Sequence, residues 1–242
     1  MKLKRFIVPF TGDKRMIYAK EYLENHGFEH TGNSENADFV LLPVPVKENM
    51  FKGFEDKITF YGMGNRKSGF DYMKYESLVL KNAFLTAEGA VTLIEENTPY
   101  SLYRAKILII GYGRIGKALH NILKGYGADI TVCSRSRSSE AEAIFNGAEH
   151  IGFEQLKSEN NANIIINTVP HMVLTKNELS ALKKAAVILD LASFPGGVDT
   201  LVADSLGLVV LNGRKMPSRY AEKTAGYLIG EAVSDIIEEE LT

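Results

Sequence analysis

The chain has 242 residues, 45% of them apolar and 24% charged, enough for a substantial core in one large or two modest domains. Its formal net charge of −2 gives no reason to expect nucleic acid or an anionic membrane as a partner. One cysteine excludes an intramolecular disulfide framework, and the five histidines show no ligand spacing, so we expect no metal site. The basic start lacks the apolar run of a signal peptide, and no segment approaches the length needed to cross a bilayer. We therefore expect a cytoplasmic protein.

The first third of the chain predicts a small α/β unit. Apolar runs at 6–10, 37–42 and 58–61 are typical of buried strands, and a helical stripe follows the first of them until Gly27 stops it. This unit lacks a complete glycine triplet for binding phosphate, so we expect it to serve substrate binding, packing or assembly. We place it at residues 1–81, as the smaller N-terminal lobe.

The central motif of the sequence runs from Lys106 to Gly116. Its apolar run, Ile107-Leu108-Ile109-Ile110, is typical of a strand buried on both faces of a parallel sheet. The turn Gly111-Tyr112-Gly113-Arg114-Ile115-Gly116 has the spacing of a dinucleotide-binding motif: a glycine for a tight bend, one for the approach of a pyrophosphate and one for close helix packing. The following helix would direct its N–H groups towards the phosphates. A glycine turn in an unrelated βαβ unit is the alternative.

Strands and helices continue to alternate after this motif. Further strands are predicted at 129–133, 150–151, 163–167, 186–190 and 207–211, with helices between them. This alternation favours an α/β fold with a doubly wound (Rossmann) parallel sheet beside the smaller lobe. We assign residues 82–242 to the nucleotide-binding domain. Its flanking helices, 82–98 and 221–241, are expected to bridge the two lobes beside a cleft.

The residues after the second strand of this domain concern the choice of cofactor. A carboxylate here normally accepts the ribose hydroxyls of NAD, whereas this chain has Cys133-Ser134-Arg135-Ser136-Arg137-Ser138. Because guanidinium and hydroxyl groups suit a 2′-phosphate, Ser134, Arg135 and Ser136 are predicted to bind the cofactor, and NADP is favoured over NAD. The alternative, a solvated loop charge, is expected of Arg137 more than of Arg135.

Two later strands are predicted to end at the same edge of the sheet. Thr168-Val169-Pro170 follows one and Asp190-Leu191-Ala192 the other, and both runs are predicted to contact the cofactor. In the next loop, small residues let the backbone approach a flat ring such as a nicotinamide or a substrate: Ser193, Gly196 and Gly197. Asp190 alone is equally well explained as a cap for the next segment. Cys133 is interpreted as a small core residue and His171 as a solvent-exposed loop residue.

Several motifs after residue 82 resemble, in the same order, a known family. They are Asn82-Ala83-Phe84-Leu85-Thr86-Ala87-Glu88-Gly89-Ala90, the glycine turn, Asn167-Thr168-Val169-Pro170, Leu189-Asp190-Leu191-Ala192-Ser193 with Pro195-Gly196-Gly197-Val198-Asp199, and Lys223-Thr224-Ala225-Gly226. Together they are similar to the A subunit of dipicolinate synthase, a family of endospore-forming bacteria. The glycine turn is shared with many dehydrogenases, whereas the Leu-Asp-Leu-Ala-Ser and Lys-Thr-Ala-Gly runs are more specific. Residues 212–222 differ from the family, which has a more apolar stretch there.

The resemblance implies a Rossmann oxidoreductase that uses NADP. Working with a partner, a flavoprotein-like B subunit, it would convert a dihydrodipicolinate-level intermediate into dipicolinate in the mother cell of a sporulating bacterium. We also expect a homo-oligomer. Two alternatives stay open: a dehydrogenase of another small carboxylate, and a partner subunit that binds NADP(H) without turnover.

Oxidation of a cyclic dicarboxylate needs a base for the proton and cations for the carboxylates. Lys223 is the first candidate for carboxylate binding or proton transfer and Glu88 the second for proton transfer, with Thr86 and Thr224 beside them. Each of the two charged residues is alternatively a helix-end charge. Further candidates for binding the substrate carboxylates are Arg66, Lys67, Arg214 and Arg219.

Overall fold

The computed structural model describes residues 3–64, 69–158, 161–184 and 186–241. The candidates Arg66 and Lys67 lie outside these ranges. The chain divides into two compact units: Met1–Leu85 with Pro217–Thr242, and Thr86–Met216. The last helix therefore belongs with the N-terminal residues, which differs from the predicted division at residue 82.

The first unit contains a five-stranded, all-parallel sheet in the order β2-β1-β3-β4-β5. Its strands are β1 (Arg5–Ile7), β2 (Glu29–His30), β3 (Phe39–Leu41), β4 (Ile58–Tyr61) and β5 (Phe70–Asp71). This is one of the two common doubly wound orders, and its chain reverses direction across the sheet between β1 and β3.

Aromatic side chains form the centre of this unit. The ring of Phe39 stacks 5.5 Å from that of Phe6 and lies edge-on to Phe60 at 5.3 Å. Helices α1 (Lys14–Asn25) and α8 (Glu222–Glu240) add buried apolar residues to the same core, among them Leu23 and Val233. Because α8 packs against α1, it belongs to this unit.

Close packing between α1 and α8 depends on two glycines. A methyl group on Gly226 would collide with the carbonyl oxygen of Arg15, and one on Gly230 would lie 2.9 Å from that of Ala19. Lys14 and Glu222 form an ion pair at 3.1 Å beside this contact.

The second unit contains a six-stranded, all-parallel sheet in the order β11-β10-β9-β6-β7-β8. Numbered from β6, this is the Rossmann order 3-2-1-4-5-6. Its strands are β6 (Lys106–Ile110), β7 (Asp129–Cys133), β8 (Glu149–Ile151), β9 (Ile164–Asn167), β10 (Val187–Asp190) and β11 (Val209–Asn212). The predicted doubly wound α/β fold is confirmed.

Helices cover this sheet between the strands, as the alternation predicts. They are α3 (Arg114–Gly125), α4 (Arg137–Phe145), α5 (Lys176–Ala181) and α6 (Thr200–Ser205). The short helix α7 (Met216–Tyr220) follows the last strand, and all of it except Met216 belongs to the first unit. The central strands β6, β9 and β10 are buried except for Lys106, because helices pack on both faces of the sheet.

Helix α2 (Glu76–Asn97) starts earlier than the predicted helix and passes from the first unit into the second after Leu85. By length and composition it could span a membrane, so the expectation that no segment approaches that length is wrong. However, 56% of its most apolar window is buried inside the protein, as in the core helix of a globular domain.

Candidate nucleotide-binding site

The carboxyl ends of four strands lie level at one edge of the six-stranded sheet. Ile110 pairs in register with Cys133 of β7 on one side and with Asn167 of β9 on the other, and Asn167 pairs with Asp190 of β10. The chain reverses direction across the sheet between β6 and β9. In doubly wound folds, ligands bind at this switch point, beyond the carboxyl ends of the strands.

The glycine turn after β6 has the geometry that its sequence predicts. Gly111 has a φ of +93°, and a methyl group there would collide with Oγ1 of Thr168. A methyl group on Gly116 would collide with the carbonyl oxygen of Gly111, so α3 packs directly against the bend. Two of the three glycines are therefore required by the fold itself.

Gly113, in contrast, faces open space. No described atom lies within 4 Å of where its methyl group would stand, and its φ of −83° suits other residues. The fold alone gives no reason for a glycine here, whereas a pyrophosphate approaching the backbone would need one. Gly113 is therefore the residue whose surroundings best match the predicted binding of a pyrophosphate.

The start of α3 also suits an anion. Gly113 is the N-cap residue, and no side chain among the described residues caps the helix. Its first turn has basic and apolar residues and no carboxylate, so the positive end of the helix dipole stays uncompensated. Arg114 and Ile115 open the helix, with Arg114 exposed to solvent.

The side chain of Tyr112 supports the turn from within. Its hydroxyl lies 2.7 Å from Nδ1 of His120, and Asn146 donates to the same hydroxyl at 3.5 Å. Burial raises the pKa of Tyr112 and lowers that of His120, so both are neutral near pH 7. The predicted contact of Tyr112 with the cofactor therefore rests on its backbone.

At the end of β9, Thr168 joins the two switch-point loops. Both its amide and its hydroxyl donate to the carbonyl oxygen of Ile110, each at 2.9 Å. Val169 and Pro170 continue this loop, Pro170 being exposed. This loop therefore lies beside the glycine turn, and its contact with a cofactor stays a prediction.

The three residues predicted to bind a 2′-phosphate have different surroundings. Ser134 is buried, with its Oγ 2.9 Å from Nε2 of His150, and Ser136 caps α4 by accepting from the amide of Ser139 at 3.0 Å. Arg135 is exposed, its guanidinium carbon 5.9 Å from the centre of the Phe153 ring. Of the three, only Arg135 presents a charged group to solvent.

Asp190 is the anchor of the loop after β10. Its buried carboxylate accepts from Asn167 Nδ2 at 2.7 Å, from the amide of Gly197 at 3.1 Å and from that of Ala192 at 3.3 Å. The amide of Gly196 donates to the carbonyl oxygen of Ser193 at 2.8 Å. The amides of both glycines thus have partners within the loop, and the carboxylate holds the loop in shape.

Three consecutive residues of this loop remain accessible: Ser193, Phe194 and Pro195. Ser193 is exposed, and the ring of Phe194 is 85% exposed, whereas Leu191 and Ala192 are buried. We therefore expect a ring bound at this loop to meet Ser193 and backbone atoms rather than the side chains of Leu191 or Ala192.

Lys223 lies in an aromatic and acidic setting within the first unit. Its Nζ is 5.3 Å from the centre of the Tyr227 ring, 5.8 Å from that of Tyr18 and 4.0 Å from a carboxylate oxygen of Glu21. Tyr227 and, after it, Glu21 raise the pKa of Lys223. A lysine ammonium is already charged at neutral pH, and the raised pKa disfavours its deprotonation further, which suits binding a carboxylate better than removing a proton.

The remaining substrate candidates are divided between the units. Thr86 and Glu88 lie in the second unit on α2, Thr86 buried and Glu88 exposed, and Thr224 is exposed in the first turn of α8. Their predicted roles stay predictions. Arg219 lies at the end of α7, with its guanidinium 5.3 Å from the centre of the Tyr220 ring.

Cys133 and His171 have the surroundings that the sequence predicts. Cys133 is fully buried, and burial raises the pKa of its thiol to about 12, which makes it a poor nucleophile. His171 is exposed. In the described ranges, no three His, Cys, Asp or Glu side chains come together as metal ligands.

Sequence reasoning did not foresee the contacts of two residues at this edge. His150, from β8, supports Ser134 and lies 3.8 Å from a carboxylate oxygen of Glu140. Arg214, a candidate for substrate binding, instead donates to two backbone carbonyls of the loop after β10. No local pattern marks either role, because the partners come from other strands.

Comparisons with known proteins agree with this geometry. Residues 81–193 match the NAD-binding domain of D-isomer specific 2-hydroxyacid dehydrogenases. The A subunit of dipicolinate synthase from Bacillus subtilis (strain 168) is 30% identical over 165 residues, which are 68% of this chain and 56% of that protein. The match thus spans just over half the length of this relative.

Two solved structures share the fold of the chain. The A subunit of dipicolinate synthase from Bacillus halodurans superposes with a TM-score of 0.87, at 22% identity over 98% of each chain. The A chain of dipicolinate synthase from Bacillus subtilis gives 0.85, at 23% identity over 99% of this chain and 97% of that one. The predicted resemblance is confirmed: the chain is similar to the A subunit of dipicolinate synthase, and its second unit contains the nucleotide-binding domain of an NAD(P)-dependent oxidoreductase.

Proposed function

We propose that this chain is an NADP-dependent oxidoreductase subunit that forms dipicolinate from a dihydrodipicolinate-level intermediate. The open space at Gly113, between a strained bend and an uncapped helix start, carries the proposal, because it leaves room for a pyrophosphate against backbone N–H groups. The similarity to the A subunit of dipicolinate synthase supports the substrate. The same proposal includes a homo-oligomeric assembly in the mother cell of a sporulating bacterium, together with a flavoprotein-like B subunit.

The choice of NADP rests on Arg135. Position 135 follows the buried Cys133 and Ser134, at the end of the strand where an NAD-specific domain carries a carboxylate. An exposed guanidinium in that place pairs with a 2′-phosphate and gives the ribose hydroxyls of NAD no acceptor.

The reaction removes a hydride and a proton from the ring of the substrate, and bound NADP+ supplies the hydride acceptor. Lys223, whose pKa is raised by Tyr227 and Glu21, binds a carboxylate through its ammonium, and Thr224 lies beside it on α8. Glu88 then becomes the first candidate for the proton. Ser193 and the backbone around Gly196 and Gly197 contact the nicotinamide ring and the substrate beside it.

Titration with NADPH and NADH tests the cofactor. Wild-type protein should bind NADPH more tightly, and Arg135→Ala should remove most of the difference, about tenfold for a charge-assisted contact of this kind. Arg137→Ala is the matched control, since it removes an exposed arginine two positions away. Equal affinities in the wild type would contradict the choice of NADP, and no binding of either would contradict the proposed function.

An assay that generates dihydrodipicolinate enzymatically, with NADP+ and with or without the B subunit, tests the substrate. The expected result is the pyridine dicarboxylate absorbance appearing together with NADPH. Hydride transfer to another small carboxylate alone would favour the broader dehydrogenase hypothesis. Cofactor binding with no hydride transfer in any mixture would favour a partner subunit without turnover.

A further inference from the structure

Arg214 fastens the loop that follows β10. Its Nη2 donates to the carbonyl oxygen of Pro195 at 2.9 Å and its Nε to that of Ala192 at 3.3 Å, while its guanidinium carbon lies 5.9 Å from the centre of the Phe194 ring. One planar group thus touches three of the four residues from 192 to 195. A lysine ammonium also has several donors, but it has neither a planar face to lie on the ring nor donors in a rigid fork.

The other side of the same loop is held by Asp190. A methyl group on Gly196 would lie 2.6 Å from Oδ2 of Asp190 and 2.8 Å from Nη2 of Arg214. Gly196, at a φ of +97°, is therefore held between a buried carboxylate and the guanidinium. The loop is fixed from both sides, by Asp190 from the sheet and by Arg214 from the chain after β11.

The position of the guanidinium is itself fixed by its own turn. The amide of Arg214 donates to Oδ1 of Asn212 at 3.0 Å, and the amide of Gly213 donates to the carbonyl oxygen of Asp190 at 2.9 Å. A methyl group on Gly213 would lie 2.5 Å from a side-chain carbon of Leu191, so the two loops are in close contact. A shift of the turn after β11 would therefore displace the loop after β10.

We propose that Arg214 is a positioning residue: it holds the loop at 192–197 in the shape that receives the nicotinamide ring, rather than binding a substrate carboxylate. This inference rests on the proposed function, because it assumes that a nicotinamide nucleotide binds at this edge. It replaces the substrate-binding role that the sequence suggests for Arg214. A loop that is already ordered binds a ring without an ordering cost. Removing the Arg214 side chain should therefore weaken binding of the nicotinamide end of the cofactor and leave binding of the adenosine end unchanged.

The test compares two ligands that differ in the nicotinamide ring. NADPH and 2′-phospho-ADP-ribose are titrated against the wild type, Arg214→Ala and Arg214→Lys, with fluorescence of bound NADPH as a second readout. Lys176→Ala, which removes an exposed cation from the start of α5, is the matched control.

In the wild type, NADPH should bind more tightly than the ring-less ligand. Arg214→Ala should reduce this advantage by about tenfold, the equivalent of about 1.4 kcal/mol, and change the fluorescence of bound NADPH. Its affinity for 2′-phospho-ADP-ribose should be unchanged. Arg214→Lys should recover only part of the advantage, and Lys176→Ala should match the wild type.

Other outcomes separate the possible failures. If the wild type binds neither ligand, the proposed function fails. If Arg214→Ala keeps the full advantage for NADPH, or weakens both ligands equally, the positioning role is overturned while the proposed function stands. A parallel titration of the same variants with dipicolinate tests the remaining case. Unchanged NADPH binding combined with lost affinity for dipicolinate would overturn the positioning role and make Arg214 a carboxylate-binding residue.

Discussion

The two sheets of this protein are both doubly wound and both parallel, yet their switch points are built differently. In the first unit, the turn after β1 leads into α1 through Asp13, whose carboxylate accepts from the amide of Arg15 at 3.1 Å and pairs with its guanidinium at 2.6 Å. The same guanidinium reaches across to the carbonyl oxygen of Val44, beyond β3, at 2.7 Å. An internal ion pair therefore fills the switch point.

In the second unit, the corresponding turn leads into α3 through Gly113. No carboxylate lies in the first turn of that helix, and Thr168 rather than an ion pair connects β6 with β9. The same architecture thus gives two different helix starts. The start of α1 is neutralised by the carboxylate of Asp13, whereas the start of α3 is available to an anion from outside the protein. The fold provides the edge, and a few side chains decide whether a ligand can use it.

Gly116→Ala should have the largest effect on this contrast. Its methyl group would collide with the carbonyl oxygen of Gly111, and backbone cannot move aside as a side chain can. We expect a loss of about 2–3 kcal/mol in the free energy of unfolding and loss of nucleotide binding together. Denaturant unfolding and an NADPH titration measure the two. Unchanged stability would show that α3 does not need close contact with the bend.

Gly113→Ala should separate binding from stability. At this φ an alanine is unstrained and meets no described atom, so unfolding should change by no more than about 0.5–1 kcal/mol. The affinity for NADPH should fall by about tenfold or more, because the methyl group stands where the pyrophosphate approaches. Gly12→Ala in the first unit, which also meets no described atom, is the control and should leave binding intact. Tight NADPH binding by Gly113→Ala would contradict the site.

Asp13→Ala should have the smallest effect, confined to the first unit. Loss of the N-cap typically costs about 1 kcal/mol in the free energy of unfolding, and here it also leaves Arg15 without its carboxylate. NADPH affinity should not change. The melting temperature and the same titration check both points, and weakened NADPH binding would refute the division of roles between the two sheets.

A structural element of this protein can be predicted from the sequence when the residues that determine it are neighbours in the chain. The strands β6 and β10 are continuous apolar runs next to charged residues or glycine, and the apolar run of β9 lies between two asparagines. The spacing of the glycine turn likewise indicates its backbone conformation. The two-residue strands β2 and β5 have no run of their own and exist through pairing with their neighbours. Their absence from the sequence interpretation follows from that.

The candidate site divides in the same way. Gly111 and Gly116 could be assigned because each requirement concerns a few neighbouring residues. The role of Arg214 depends on carbonyl groups about twenty positions earlier, and that of His150 on Ser134 in another strand. The placement of α8 with the first unit depends on glycines that only a partner helix makes necessary. Such pairings between distant segments leave no local pattern to detect.

The state of Cys133 has a practical consequence. With a thiol pKa of about 12 and no exposed surface, this side chain should not oxidise in air or react with maleimide reagents while the protein is folded. The wild-type protein should therefore take up no thiol-reactive dye, so Cys133 need not be replaced before site-specific labelling. A cysteine introduced at Phe145, which is 89% exposed at the end of α4, would take up a dye alone and report on the nucleotide-binding domain without further engineering.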